Sequence, residues 1–467
     1  MVQIKFGTDG WRAIIADDFT VENVTRVAYA TALKLKSINA SPVVVLGHDC
    51  RFGGELFAET VAKVLVSQGV KVYLSRGITS TPMISLGTVK LKADQGIIIT
   101  ASHNPPSYNG YKLKSSYGGP STPSFVNEVE NLIPNQVPTL SFQSIADSIN
   151  NKSIEIVDLE DMYIKHVEQN FDLEAIRNSG LNMAYDAMYG AGQQVMRKLF
   201  PEATFLHADW NPGFDGQAPE PIHKNLQELS ETIRIAEDID LGIATDGDAD
   251  RIGLYNSTGK FIDSHHIILL LVHYLNKSKG YTGDVIKSFS CCSKIDKLCS
   301  LYGIKSITTK IGFKYICELM VEGDALVGGE ESGGIAIKGH IPERDGIWMG
   351  LTIWEMMAKS GKSLDELINE IYELVGTFAV ERYDEHVENT LKEKIIENCK
   401  NGKYTSFGEY KVQSMEDTDG YKFHLNDNSW VMFRASGTEP VLRIYAESEN
   451  SEACFKILDA AKAEVLK

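Results

Sequence analysis

A chain of 467 residues, 43% hydrophobic and 23% charged, has the make-up of an ordinary soluble protein with material for three or four cores. Its net charge of −17 repels a phosphate backbone, which argues against nucleic acid as a partner and requires any anionic ligand to be met by a local basic exception. The seven cysteines, Cys50, Cys291, Cys292, Cys299, Cys317, Cys399 and Cys454, form no C-x-x-C pair and no zinc spacing, and MVQIKFGTDGWR is not an apolar leader; reduced thiols in a cytoplasmic protein are expected.

Short β-rich runs alternate with helical patterns from the start. Residues 43–46 (VVVL) read as a buried strand, 55–68 as a helix and 70–74 (VKVYL) as a second strand. The loop GITSTP and another helix lead to a third strand at 96–100 (GIIIT). The layout returns at 182–186 (NMAYD) and 203–206 (ATFL), followed by a Pro/Gly-rich loop (NPGFDGQAPEPI), a helix around 226–236, and 241–245 (LGIAT). It returns again at 284–288 (DVIKS), 304–307 (IKSI), a helix opened by TTKIGFK, and 325–327 (ALV). A polar loop and a short return strand follow each third strand, at 111–114, 251–255 and 334–338. The most apolar run, 267–272 in HHIILLLVHYL, falls short of the ~20 residues that span a bilayer; it reads as a buried helix, and no membrane association is expected.

The tail differs. Residues 384–399 read as a charged helical stretch, 430–433 (WVMF) and 441–447 (VLRIYAE) as strands, and a helix closes the chain. The pattern predicts an α/β protein: three similar α/β/α domains with mixed sheets at 1–150, 151–256 and 257–375, then a smaller C-terminal α+β domain at 376–467 with its linker near 375–382. The recurrence reads as a threefold duplication, against an ordinary run of α/β units with coincidental spacing.

The unusual loops SHNP, DGDAD and GEESGG all fall at ends of third strands, where ligands collect in α/β sheets. In TASHNP, a strand-end Ser102 has the exposure and rigid support a nucleophile needs, with His103 and Lys112 near in sequence; the alternative is a plain turn punctuated by Pro105-Pro106. Asp246, Asp248 and Asp250 alternate, so an extended loop can aim all three at one cation. Gly253 and Tyr255 follow where an EF-hand would continue toward its terminal Glu. Three oxygens leave room for a phosphate oxygen and water, which suits Mg²⁺; a solvated acidic turn would leave three close carboxylates repelling one another. Glu330 and Ser332 in GGEESGG would hydrogen-bond hydroxyl groups, unless the loop is only a flexible glycine turn. Arg434, Ser436, Gly437 and Thr438 in RASGTEP, with Arg443, offer guanidiniums, hydroxyls and freed backbone N–H groups to an anion; a hairpin turn with a surface arginine is the alternative, and no P-loop is present. FGTDGWR with its Arg12 says little by spacing, and Arg51 and Lys310 are either cleft cations or surface charges.

FGTDGWR, TASHNP, DGDADR, GEESGG and RASGTEP, in this order from residue 6 to residue 447, resemble the α-D-phosphohexomutase superfamily, the phosphoglucomutase and phosphomannomutase enzymes. The resemblance implies four domains around one central cleft and interconversion of hexose 1-phosphate and hexose 6-phosphate, with glucose as first substrate and mannose as second. It implies that phosphorylated Ser102 gives its phosphoryl group to the sugar, and that a hexose 1,6-bisphosphate, intermediate and activator at once, turns around and returns the other group. Arg12, Lys112 and His103 would assist Ser102; one Mg²⁺ per chain would sit on Asp246, Asp248, Asp250 and a Ser102 phosphoryl oxygen. Glu330 and Ser332 match the sugar-hydroxyl loop, and Arg434, Ser436, Gly437, Thr438 and Arg443 the site for the non-reacting phosphate; Arg251 and Lys310 complete the candidate substrate-binding set. Two departures stand out: Cys50 lies where relatives carry a small hydroxyl residue, and Gly334 where the bifunctional pattern has His, which leaves the general base open. GEESGG and KIGFKY look more like phosphoglucomutases than phosphoglucosamine mutases. The alternatives are a phosphoglucosamine mutase, a metal-dependent sugar phosphatase using Ser102, and a non-catalytic sugar-phosphate-binding paralogue. The implied partners are small-molecule sugar phosphates, and the implied state is a monomer or homodimer.

Overall fold

The computed structural model describes residues 3–7, 9–435 and 440–466. The chain forms two compact units: Met1–Asp284 with Gly312–Leu367, and Val285–Ile311 with Ile368–Lys467.

The first unit contains a six-stranded sheet in the order Trp11–Ile14, Tyr108–Ser115, Gln95–Ile99, Val43–His48, Lys71–Ile78, Ile154–Val157. The first two pairings are antiparallel and the rest parallel. Gln95–Ile99 (QGIII) is buried at every position, as expected for a strand covered on both faces. A five-stranded sheet follows the same plan, in the order Phe261–Ile262, Ile252–Asn256, Leu241–Thr245, Met183–Asp186, Thr204–Leu206. Ala325–Gly329 then pairs antiparallel with Ile335–Ile337. Each time an all-buried strand runs out into a loop and returns at once antiparallel, with Ile99 opposite Tyr111, Thr245 opposite Ile252 and Gly329 opposite Ile335. The loops at 100–107, 246–251 and 330–334 are thereby fixed at both ends.

The flanking helices carry their own start signals. Thr20 caps Val21–Ile38 by accepting from Asn23 N, and Ser80 caps Thr81–Lys90 by accepting from Met83 N, with Pro82 in the first turn. The apolar run expected as a buried helix is the helix Ser264–His273, buried from Ile267 to Val272. Trp11 packs tilted against Phe19 at 4.8 Å, and Phe19 meets Phe57 edge-on at 4.7 Å, within one core cluster. No helix of the described residues is long and apolar enough to cross a membrane, and the seven cysteines are buried thiols.

In the second unit, Val285–Ser288 of the strand Asp284–Ser288 pairs parallel with Ser306–Thr309. A six-stranded antiparallel sheet runs Ala379–His386, Val441–Ser448, Trp430–Ala435, Tyr421–Leu425, Tyr410–Glu416, Ser406–Phe407. The helix Ser451–Val465 lies on it over a core that includes Phe407, Phe423, Phe433 and Leu458. The stretch 384–399, expected as helix, is not helical throughout. Its first residues end the edge strand Ala379–His386, and the helix is Asn389–Lys400. In AVERYDEH the exposed Arg382, Asp384 and His386 alternate with half-buried residues, and the charge along the strand suits an edge kept from pairing further. The connection from the helix Leu364–Val375 is also tighter than 375–382, because Gly376, at φ 84°, ends the helix and the strand begins at Ala379.

Candidate active site

Ser102 stands just past the strand Gln95–Ile99, 1% exposed, in the left-handed conformation (φ 54°). Its N–H donates to Thr100 Oγ1 at 2.9 Å, and its hydroxyl donates to Asp246 Oδ2 at 2.7 Å. His103 Nδ1 stands 3.4 Å from the same Oγ. Burial, with the charges of Arg251, Arg12 and Lys112, holds the His103 imidazole well below the usual histidine range, so it is neutral at pH 7.

The acidic loop faces this serine. Asp246, Asp248 and Asp250 are fully buried, and one oxygen from each lies within 4.8 Å of the others. Asp246 Oδ1 accepts from the N–H groups of Asp250 (2.9 Å) and Arg251 (3.1 Å), which curls the loop and aims the other two carboxyls inward. Asp248 Oδ2 accepts from Thr81 Oγ1 and from Lys112 Nζ at 2.7 Å, and Asp250 Oδ2 accepts from Lys112 Nζ at 3.1 Å and is ion-paired with Arg344 Nη2 at 2.6 Å. Asp248 Oδ1 and Asp250 Oδ1 are buried with no hydrogen-bond partner among the described residues. Two such oxygens, beside an Asp246 oxygen that already holds the serine, form a hard-donor set of the kind that takes Mg²⁺.

The site's electrostatics are uneven. Burial and the neighbouring Asp248 and Asp250 push the Asp246 carboxyl far above the usual range. Burial acts on Asp248 too, but the Lys112 ammonium, the Thr81 hydroxyl and Arg344 together outweigh it and hold that carboxyl below its ordinary value. Burial depresses Lys112, but Asp248, Asp250 and Asp9 raise it on balance, so it stays charged.

The sequence-expected residues fall as follows. Ser102, His103, Lys112 and the three aspartates come together. Arg12 donates to Asn104 Oδ1 at 2.7 Å, on the serine loop rather than to the serine. Arg251 lies partly buried, 3.4 Å from Glu220. Glu330 is buried, and its Oε1 accepts from Gly312 N at 2.8 Å; Ser332 is partly buried on the same loop, which Ile252 N ties to the acidic loop through Gly333 O at 3.1 Å. In the second unit Lys310 is exposed, and Arg434 and Arg443 lie directly opposite each other on paired strands. Ser436, Gly437 and Thr438 lie outside the described residues.

Sequence reasoning passed over Asp9, Thr81, Lys114, Glu343 and Arg344. Asp9 takes Lys112 at 3.0 Å, Lys114 at 3.3 Å and Arg344, while Glu343 takes Lys114 at 2.8 Å. A signal existed for the last pair: Glu343-Arg344-Asp345 are three consecutive charges directly before the apolar helix Gly346–Ser360, a place where exposed charge is not expected. Arg344 also explains Gly334, since a Cβ there would meet Arg344 Cδ at 2.5 Å. No histidine fits at that position while Arg344 keeps its place.

Burial pushes the Glu330 carboxyl up to about 7, against a partial opposing pull from Arg344. The folded value lies above the ordinary 4.5, so the fold favours the proton; this stabilisation is complete below the unfolded value and is lost as pH rises through 7. Glu330→Gln keeps an oxygen for Gly312 N and removes the titration. The wild type should lose ~3 kcal/mol of unfolding free energy relative to Glu330→Gln between pH ~4.5 and ~8. Denaturant melts of both proteins across that range check it, and a pH-independent difference would refute it.

Models of the four parts of one family match almost the whole chain: the phosphoglucomutase/phosphomannomutase alpha/beta/alpha domain I at residues 3–138, domain II at 161–259, domain III at 263–375 and the C-terminal domain at 391–464. The phosphoglucomutase/phosphomannomutase of Thermococcus kodakarensis is 32% identical over 465 residues, 97% of this chain and 96% of that one. The phosphoglucosamine mutase of Finegoldia magna is 28% identical over 454 residues, 96% and 95% of the two chains. A solved structure from Thermus thermophilus superposes with a TM-score of 0.87 at 32% identity, covering 100% of each chain. The open form of parafusin, a phosphoglucomutase of Paramecium, shares the fold with a TM-score of 0.84 at 21% identity, over 99% of this chain and 95% of that one. The buried serine facing an aspartate triad thus stands in a chain that belongs to the phosphoglucomutase/phosphomannomutase family of the α-D-phosphohexomutase superfamily, an isomerase that works by phosphoryl transfer.

Proposed function

We propose that the enzyme interconverts hexose 1-phosphate and hexose 6-phosphate, with Ser102 as phosphoryl carrier and a hexose 1,6-bisphosphate as intermediate. The observation that carries this is the hydroxyl of Ser102, hydrogen-bonded at 2.7 Å to one member of a buried aspartate triad. Asp246, Asp248 and Asp250 would hold Mg²⁺. When bound, the ion supplies charge neutralisation at the transferring phosphoryl oxygens.

The chain's own residues supply the rest. In the first half-reaction the bond between phosphorus and Ser102 Oγ breaks and a bond from phosphorus to a sugar hydroxyl oxygen forms. The attacking sugar hydroxyl releases a proton and the departing serine oxygen gains one; the neutral His103 imidazole, 3.4 Å from Oγ, relays it by taking it up as a transient imidazolium and passing it to Oγ, and the reverse transfer accompanies rephosphorylation. Lys112 stays charged through both steps and balances the carboxylates rather than moving protons. Arg12, anchored on Asn104, borders the serine loop as a phosphate-facing cation. Glu330 and Ser332 take sugar hydroxyls, with Arg251 and Lys310 as further cations for the substrate. Arg434 and Arg443, with the segment 436–438, grip the phosphate that is not reacting, so one grip serves both orientations of the bisphosphate. The same reading divides the chain near residues 150, 256 and 375.

Glucose is the first sugar, mannose the second. The relatives bear both phosphoglucomutase/phosphomannomutase and phosphoglucosamine mutase names, so the deciding measurement is a coupled assay of glucose 1-phosphate, mannose 1-phosphate and glucosamine 1-phosphate with the bisphosphate activator present. A higher kcat/KM for glucosamine 1-phosphate than for glucose 1-phosphate would move the enzyme to the amino-sugar reading.

A fraction of the purified protein should carry one phosphoryl group on Ser102, found by intact mass and peptide mapping. Ser102→Ala should lose more than ~10³-fold in turnover while still binding sugar phosphate; an active Ser102→Ala with phosphate on another residue sinks the carrier assignment. Asp248→Asn removes one charge from the triad and should weaken Mg²⁺ binding by at least ~10-fold, with a matching loss of turnover at low Mg²⁺. Chelation should stop the wild type and added Mg²⁺ restore it; full activity after exhaustive chelation would overturn the metal role.

A further inference from the structure

We propose that Arg51 is the positioning residue of the nucleophile loop: its guanidinium fixes where Ser102 points, and its loss slows transfer through Ser102 without weakening the capture of sugar phosphate or metal. The inference rests on the reading of Ser102 as phosphoryl carrier. From sequence, Arg51 is either a cleft cation or a surface charge. The structure makes it neither, because its side chain is fully buried and turned onto the backbone of residues 102–108.

Four carbonyls of that short segment converge on one planar group. Nη2 donates to Ser102 O at 2.7 Å and to Asn104 O at 2.6 Å, and Nη1 to Pro105 O at 2.9 Å and Tyr108 O at 3.0 Å. Asp49 closes the arrangement. Its Oδ2 lies 3.4 Å from Arg51 Nε and accepts from Thr100 Oγ1 at 2.5 Å, and its Oδ1 accepts from Arg51 N at 2.9 Å. Thr100 Oγ1 in turn accepts from Ser102 N at 2.9 Å. One carboxylate therefore controls both peptide groups of the nucleophile, the N–H through Thr100 and the carbonyl through Arg51. The guanidinium is backed by the buried Phe214 ring at 4.9 Å.

Ser102 needs this grip. A serine at φ 54° is held in a conformation that L-residues disfavour, and such residues persist only where their surroundings over-determine them. Gly247 approaches so closely that a Cβ there would stand 2.5 Å from Ser102 O, so the loop is confined from the acidic side as well. Lysine cannot replace the arginine here: three donors on one nitrogen do not span two pairs of carbonyls. In-line phosphoryl transfer depends on where Oγ sits, and a misplacement of ~1 Å costs ~10²-fold in rate.

The test uses Arg51→Lys in the full chain. Its kcat should fall ~10²-fold, while KM for glucose 1-phosphate and the dissociation constant for Mg²⁺ stay within ~threefold of wild type. Hydrogen exchange should quicken at residues 100–108 and remain unchanged in the other strands of the first sheet. Thr100→Val, which removes the oxygen that holds Ser102 N, should lower kcat in the same selective way, and Thr100→Ser should restore it. A folded Arg51→Lys with wild-type turnover, or one whose exchange protection at 100–108 is unchanged, overturns the inference. So does a loss of turnover matched by an equal loss of Mg²⁺ affinity. If Arg51→Lys does not fold, wild-type kcat in Thr100→Val overturns it instead. The exchange readout separates the two ideas: wild type that never carries phosphate on Ser102 defeats the carrier reading, whereas an unloosened loop in Arg51→Lys defeats the clamp.

Discussion

Lys112 carries its ammonium into a nest of carboxylates with no exposure to solvent, 3.1 Å or less from Asp9, Asp248 and Asp250, and it is the cation that offsets two members of the buried acidic loop at once. Removing one partner from a buried ion pair leaves an uncompensated charge and costs ~3–5 kcal/mol. The fold avoids this by interleaving signs: Lys112, Lys114 and Arg344 each touch two or more of Asp9, Asp248, Asp250 and Glu343. Asp246 alone among the triad has no cation in contact among the described residues. Equal burial therefore has opposite outcomes at two neighbours, prevailing at Asp246 and being overcome at Asp248, and the difference is the set of donors, Lys112 foremost with Thr81 and Arg344, that act on Asp248. A cation entering the triad would meet one carboxyl tied to the serine and two oxygens that make no hydrogen bond among the described residues.

The three loops of the first unit share a backbone device as well as a position. Each leaves a fully buried strand, turns through one left-handed residue and returns antiparallel: Ser102 at 54°, Ala249 at 56° and Gly333 at 88°. Two of the three are not glycine, so the conformation is imposed by the surroundings. For Ser102 these are Asp49, Thr100 and Arg51. For Ala249 they are the Asp246 carboxyl that gathers the following N–H groups and Gly346 N, which donates to Ala249 O at 3.0 Å. Strain of this kind collects where side chains must be aimed.

The layout and the motif loops are legible because their signals are local. Apolar strands followed by Ser-His-Asn-Pro, alternating aspartates or a glycine run state their character within six residues. What stays hidden depends on distance in the chain. Asp9, Thr81 and Arg344 meet the triad from separate elements, and a single charge or hydroxyl in sequence reads as surface. Arg51 stands out in the sequence but its role does not, since four bonds to backbone carbonyls leave no trace in side-chain pattern. The end of the edge strand Ala379–His386 reads as helix because charge-rich alternation on a half-exposed edge resembles the charged face of a surface helix.

The strands of the second unit carry a related imbalance with the opposite sign. Arg434 and Arg443 are directly opposite on the antiparallel pair Trp430–Ala435 and Val441–Ser448, an arrangement in which like charges destabilise the sheet. Each has a carboxylate nearby, Asp419 at 3.3 Å and Asp384 at 3.7 Å, but both contacts are longer than a good charge-assisted hydrogen bond. Both Nε atoms are buried and make no hydrogen bond among the described residues. A dianion set between the two guanidiniums would remove the repulsion and satisfy the stranded donors together.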